Sequence, residues 1–410
     1  MTMTNFGVSR SPRLTLFGAK QRFALPDVVK EFGNRVFICS DLRFLQDPNL
    51  LAMADSLREQ GMTVDVYTGT IAELPLDCIT EASERAAEFE PDVIVAIGGG
   101  SCLDLAKLVA LSLAHAGPIS NFYGEFKVPG PVLPLVAIPT TSGTGSEVTP
   151  VAVLADPVRD TKIGVSSPHL IPMVAICDPE LTRTCPRSLT AIAGADALTH
   201  AIESFTAVRK PVTPNLGMTQ VFVGKNTVSD MYARAAIKAL AGNLERAVKN
   251  GEDMEAREQV MFGAMSAGMA FAQAGTAAAH AIQYPVGAAT HTAHGTGVAA
   301  LMPYVMEFNL KNCIPEFAEI AEMFGVAEKG DSAEVQARKG IDAVAGLFAR
   351  IGIPSSLAEL GLPEDKKAWV AQQAMQAARL VNNNPRTLDS ESMVRLVNAA
   401  FAGKRAGLSD

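Results

Sequence analysis

The chain has 410 residues, more than one hydrophobic core supports, so at least two domains are expected. Its residues are 48% apolar and 19% charged, a balance that indicates extensive burial and excludes a disordered or solvating protein. A net charge of -8, with no Lys/Arg run of five or more, leaves nothing to bind a phosphate backbone and excludes nucleic acid as a partner.

The N-terminal residues 1–10 show no basic region followed by an apolar stretch, so no export signal is expected. The most apolar windows, residues 108–116 and 262–281, are short or dominated by Ala, Gly, Gln and Ser, so no membrane span is expected either. Cys39, Cys78, Cys102, Cys177, Cys185 and Cys313 form no C-x-x-C pair. They read as reduced, buried thiols of a cytoplasmic protein, and none as a zinc ligand.

From about Leu14 to Pro179, short β-rich runs alternate with helical stretches. Residues 36–40, 63–67, 92–97, 133–138 and 173–176 are predicted as buried strands, with helices over 50–60 and 77–89. Residues 1–187 therefore read as a doubly wound, Rossmann-like α/β domain. Near Arg187 the β-rich runs almost disappear. Ile237, Leu240, Leu244 and Val248 fall on one face of a helix that Ser229 or Asp230 caps and Gly251 ends. Residues 188–410 read as an all-α domain, with core-facing positions able to build a site between helices, and the two domains are expected to pack across a cleft.

Two loops carry the cofactor signal. Gly98, Gly99, Gly100 and Ser101 follow a predicted strand and run into a helix, so the backbone can approach a pyrophosphate at a helix N-terminus. A plain tight turn is the competing reading. Thr140, Thr141, Thr144 and Thr149 stand in Pro139-Thr-Thr-Ser-Gly-Thr-Gly-Ser-Glu-Val-Thr149 after another strand, where hydroxyls and glycines suit phosphate and ribose oxygens; a Ser/Thr-capped turn is the alternative. Together the loops favour a dinucleotide. Asp41, at the end of a strand, suits the two hydroxyls of an adenosine ribose and would repel a 2′-phosphate, favouring NAD over NADP, unless it only caps the next helix.

A metal signal lies downstream. Asp196 and His200, at i and i+4, share one helix face. His280 sits in an Ala-rich, nearly uncharged segment, and His294 precedes Gly295. One carboxylate with three imidazoles suits Fe(II) or Zn(II) and is poor for calcium.

In their order, Gly98–Ser101 with Asp104 and Lys107, Thr140 to Glu147, Gly194-Ala-Asp196 to His200-Ala-Ile-Glu203, and His280 with His294-Gly295 resemble the iron-containing (group III) alcohol dehydrogenase family along nearly the whole chain. The resemblance implies NAD(P) and a divalent metal in the intervening cleft. It makes Asp196, His200, His280 and His294 the metal ligands, and Thr149 and Lys162 cofactor neighbours. It implies hydride transfer between a small alcohol and its aldehyde or ketone, in a homodimer or larger homo-oligomer. Hydroxyacid–oxoacid transhydrogenation and the lyase chemistry of dehydroquinate synthase are the alternatives. The chain departs from the family in carrying Tyr284 where many members have a second histidine four residues after the third ligand. Its hydroxyl either passes protons in place of that histidine or its ring shapes the pocket; His291 is a further relay candidate, or a solvent-facing loop histidine. Ala72-Glu-Leu-Pro75 replaces the family's Pro-Asn-Pro or Pro-Asp-Pro turn.

Overall fold

The computed structural model describes residues 5–156 and 161–410. Among the described residues there are nine strands: β1 (Leu14–Phe17), β2 (Arg35–Cys39), β3 (Thr63–Tyr67), β4 (Val93–Gly98), β5 (Gly124–Glu125), β6 (Leu135–Pro139), β7 (Val151–Asp156), β8 (Thr161–Ser166) and β9 (Val174–Cys177). Six form one parallel sheet in the order β1-β9-β6-β4-β2-β3. Between them run α1 (Leu25–Lys30), α2 (Pro48–Glu59), α3 (Leu76–Phe89) and α4 (Gly100–Ala114).

Successive side chains of the central strands point to opposite faces, and each face has its own core. Phe37, Cys39, Ile94, Ala96 and Ala137 pack with Ile79 and Ala82 of α3 and with Leu103 and Ala106 of α4. Val36, Ile38, Val93, Val95, Ile97, Val136 and Ile138 pack with Leu25 and Val29 of α1 and with Leu50, Met53 and Leu57 of α2. Helices on both faces make the sheet doubly wound, and burial on both faces is why its central strands are near-continuous apolar runs.

The five predicted strands all occur, the one over 63–67 with the predicted ends and the other four with ends shifted by one or two residues. β1 was not predicted: four residues at a sheet edge, three of them only half-buried, carry too little pattern. Nor was the second sheet, β5-β8-β7, in which β7 and β8 pair antiparallel outside the βαβ succession.

The remaining helices are α5 (Arg187–Thr206), α6 (Leu216–Thr219), α7 (Thr227–Lys249), α8 (Met254–Ala274), α9 (Ala278–Thr290), α10 (His294–Asn309), α11 (Ile314–Met323), α12 (Ala333–Arg350), α13 (Lys367–Ala374), α14 (Ala378–Asn382) and α15 (Ser390–Ala402). Ile237, Leu240, Leu244 and Val248 do form the buried face of α7. Its cap differs from the prediction. Asn226 caps the helix through Val228 N and Ser229 N, and Ser229 closes the capping box by accepting from Asn226 N at 3.0 Å. An asparagine three residues ahead satisfies two orphan N–H groups where Ser229, already inside the first turn, satisfies none beyond it.

The chain divides into two compact units. The α/β unit comprises Arg10–Cys185 and Asn215–Val221, the latter held by Arg10 Nη1 on Val221 O at 2.7 Å and by Glu125 Oε2 on Val221 N at 2.7 Å. The helical unit comprises Pro186–Pro214 and Phe222–Asp410 together with residues 5–9, where Thr227 N donates to Phe6 O at 2.9 Å. No described helix is long and apolar enough to cross a membrane. All six cysteines are buried, and none is in a disulfide.

Candidate functional site

Helix α5 is buried along most of its length, yet carries Asp196, His200 and Glu203 at 4%, 6% and 1% exposure. At i, i+4 and i+7 the three share one face. Polar groups buried this deeply cost free energy unless something binds them. His280 comes from α9 and His294 opens α10. One ligand atom each from Asp196, His280 and His294 lies within 4.8 Å of the others. His200 lies alongside: its Nε2 is 3.7 Å from Asp196 Oδ1, and its ring stacks between Phe271 at 4.4 Å and His280 at 4.7 Å.

The chemistry of these atoms fits a transition-metal ion. Asp196 Oδ1 and His280 Nε2 are buried with no hydrogen-bond partner, although they face one another at 3.9 Å. Glu203 explains the orientation of His280. It accepts from His280 Nδ1 at 2.6 Å, which fixes the tautomer and turns the Nε2 lone pair toward Asp196. The same carboxylate accepts from Ala277 N at 2.8 Å and Ala279 N at 2.7 Å. Helix α9 has no side-chain cap of its own, so a residue of α5 caps it and locks α5 and α9 together. Burial pushes the Glu203 carboxyl up, but its electrostatic interaction and hydrogen bond with His280, together with the two amides, outweigh it and hold the group below the usual carboxylate range. Gly295 brings the third element in. A Cβ there would meet Ile192 O at 2.7 Å and Asp196 Cβ at 3.1 Å, so only glycine lets α10 start close enough to α5 for His294 to reach Asp196.

Tyr284 lies one turn beyond His280, its ring centroid 6.2 Å from that of His294. Burial pushes its phenol up; Arg379 opposes this, and Glu203 and Asp196 reinforce it. The group is a neutral donor at physiological pH. His291 ends α9 as an exposed, left-handed C-cap at φ 55.

In the α/β unit, β4 and β6 end in register, with Gly98 opposite Pro139. Gly99 is the N-cap of the 15-residue α4 and offers its first turn no side-chain cap, which leaves that end suited to an anion. A Cβ on Gly100 would lie 2.6 Å from Thr144 Cγ2, so the two glycine-containing loops touch there. Ser101 follows in the first turn, and Thr140 N donates to Gly98 O at 2.9 Å, with Thr141 next in the loop.

Beneath these loops Lys107 is fully buried, its Nζ donating to Ser146 Oγ at 2.8 Å, Thr149 O at 3.0 Å, Thr149 Oγ1 at 3.2 Å and Val151 O at 2.7 Å. Asp104 accepts from Ser146 Oγ at 2.5 Å and Val153 N at 2.9 Å. Together they pin the second loop to α4. Thr149 is thus 1% exposed, with its hydroxyl turned to Lys107. Burial lowers the ammonium to about 8 against the pull of Asp104 and Glu147, so it stays charged at neutral pH. Lys162, on β8, pairs with Glu73. Asp41 caps the short turn after β2 by accepting from Arg43 N at 3.0 Å, and Arg43 also grips its carboxylate, Nε on Oδ1 at 2.9 Å and Nη2 on Oδ2 at 2.8 Å.

Both halves of the chain match one family. Residues 12–179 match the domain described as iron-containing alcohol dehydrogenase, and residues 190–401 its C-terminal domain. The chain belongs to the iron-containing alcohol dehydrogenase family. It is 35% identical to long-chain-alcohol dehydrogenase 1 of Geobacillus thermodenitrificans over 92% of both chains, and 35% identical to the NAD-dependent methanol dehydrogenase of Bacillus methanolicus over 97% of this chain and 100% of that one. Among solved structures, a 1,3-propanediol oxidoreductase superposes with a TM-score of 0.90 at 30% identity, covering 97% of this chain and 100% of that one. The sulfoacetaldehyde reductase of Bifidobacterium kashiwanohense, solved with NAD+, gives 0.82 at 25%, covering 99% and 100%.

As an iron-containing alcohol dehydrogenase the chain is an NAD-linked oxidoreductase acting on alcohols and aldehydes, with an iron-type metal. Within this family member, four residues acquire roles that the sequence did not assign. Glu203 had a legible signal, its spacing of seven from Asp196 on one helix face. Lys107 and Asp104 were visible only as members of a motif, and Arg43 had no signal, because its partner is set by the turn after β2.

Proposed function

We propose that Asp196, His200, His280 and His294 hold one Fe(II), with Zn(II) as the substitute metal, for the interconversion of a small alcohol and its aldehyde or ketone. The observation that carries this reading is the convergence of buried, unpartnered Asp196 Oδ1 and His280 Nε2, the latter aimed by Glu203. When bound, the cation supplies Lewis acidity to the substrate oxygen, and the nicotinamide supplies the hydride acceptor or donor.

The chain's own groups do the rest. Glu203 holds the proton on His280 Nδ1 and so keeps Nε2 a ligand. Tyr284 Oη, a neutral phenol one turn away, donates a hydrogen bond to the substrate oxygen or relays its proton. Gly98, Gly99, Gly100 and Ser101 cradle the pyrophosphate, with Thr140, Thr141 and Thr144 lining the second loop and Asp41 at the adenosine ribose. Thr149 acts through Lys107 to hold that loop. The working form is a homodimer or larger homo-oligomer.

A panel of short alcohols, diols, aldehydes and 2-oxo or 4-hydroxy acids with NAD(H), combined with metal analysis of the purified protein, tests the reading. Turnover without stoichiometric metal would overturn it. Tyr284 in the position of a histidine also supports a second reading, hydroxyacid–oxoacid transhydrogenation, which requires nicotinamide to remain on the protein through purification.

A further inference from the structure

The ribose end of the coenzyme site does not carry the isolated anion that Asp41 suggests in sequence. Arg43 is bound to it side-on, with Nε also 3.2 Å from Oδ2, while Nη2 reaches Thr140 Oγ1 at 3.4 Å. Cys102 Sγ, in the first turn of α4, is 3.7 Å from Asp41 Oδ2. The pair therefore sits between α4 and the second coenzyme loop. Its arginine side chain is 49% exposed and its aspartate 25%, so the guanidinium is on the open side. Nη1 takes part in none of these bonds.

We propose that Arg43 is a coenzyme-selecting residue that gives this chain use of 2′-phosphorylated as well as unphosphorylated dinucleotide. The inference rests on the reading of these loops as the dinucleotide site. Two physical points carry it. The guanidinium cancels the charge that would otherwise repel a 2′-phosphate, so the barrier assigned to Asp41 is largely absent. The same planar fork matches a phosphate as well as a carboxylate, and an arginine beside the ribose is the usual device for accepting a 2′-phosphate in this kind of fold. With an unphosphorylated ribose, Arg43 stays on Asp41, whose oxygens retain lone pairs for the two hydroxyls. With a 2′-phosphate it turns outward to the new anion.

Binding of NADH and NADPH to the purified enzyme, followed by nicotinamide fluorescence, tests this without relying on turnover. The wild-type NADPH dissociation constant should lie within about tenfold of that for NADH, and should weaken more steeply with salt. Arg43→Ala should raise the NADPH-to-NADH ratio of dissociation constants by about tenfold or more, Arg43→Lys by less, and Asp41→Asn should lower it. A ratio in Arg43→Ala within about threefold of wild type, or wild-type discrimination beyond about a hundredfold, overturns the proposal. Failure of wild type to bind either nucleotide would instead remove the dinucleotide reading, and this proposal with it. If Arg43→Ala does not fold, an unchanged ratio in Asp41→Asn and Arg43→Lys is equally decisive against it.

Discussion

Glu203 Oε2 accepts a hydrogen bond from His280 Nδ1 at 2.6 Å, so a carboxylate on α5 sets which nitrogen of an α9 imidazole faces Asp196. Glu203→Gln keeps the shape but turns an NH2 toward one of three donors. Metal affinity should fall about 10–100-fold, and the metal-free protein should lose about 1–3 kcal/mol. Chelator competition and urea unfolding measure the two effects. Wild-type metal affinity in the variant would remove the orienting role.

His280→Ala, or exhaustive chelation of the wild type, should abolish alcohol oxidation, and Fe(II) or Zn(II) should restore only the chelated wild type. Full activity after either treatment would end the metal assignment.

Tyr284 should separate by its hydroxyl. Tyr284→Phe is expected to lower kcat about tenfold or more with little change in KM, if the phenol donates to the substrate oxygen in the transition state. Equal kcat would leave the ring as a wall of the pocket beside His294.

Glu147 gives the α/β unit a pH signature. Burial raises its carboxyl from 4.5 to about 7 against Lys107 and a backbone hydrogen bond. The folded state keeps a proton that the unfolded chain releases, so this contribution is complete below the unfolded value and disappears as pH rises through about 7. At 1.36 kcal/mol per pH unit the span is roughly 3–4 kcal/mol. Lys107, lowered from 10.5 to about 8, acts oppositely and returns stability at higher pH. Denaturation curves without coenzyme should therefore show Glu147→Gln losing less stability than wild type between about pH 5 and 7. Parallel curves would refute the raised value.

Gly100→Ala places a methyl against Thr144 and should part the two loops. NADH binding should weaken about tenfold, whereas Gly100→Ala combined with Thr144→Ser should recover part of it. Calorimetry with NADH decides.

Local periodicity settled a good part of this protein in advance. Runs such as Val93–Gly98 are apolar on both faces, and that alone requires a strand covered on both sides. Asp196 and His200 needed only the helical repeat to share a face, and the glycines before Gly100–Ala114 needed only their place between strand and helix. What depends on partners distant in sequence was decided by the tertiary structure. Glu203 became the cap of α9 because its helix passes that helix's first turn, 74 residues away in sequence from Ala277. Lys107 is buried because hydroxyls and carbonyls around Ser146, Thr149 and Val151 meet it from another segment. Asp41 lost its isolated charge to Arg43, two residues on, through the turn that brings the guanidinium back onto it. Residue type and spacing specify which groups share a face; only packing specifies which charge or hydrogen bond each group finds there, and these contacts set tautomer and local charge.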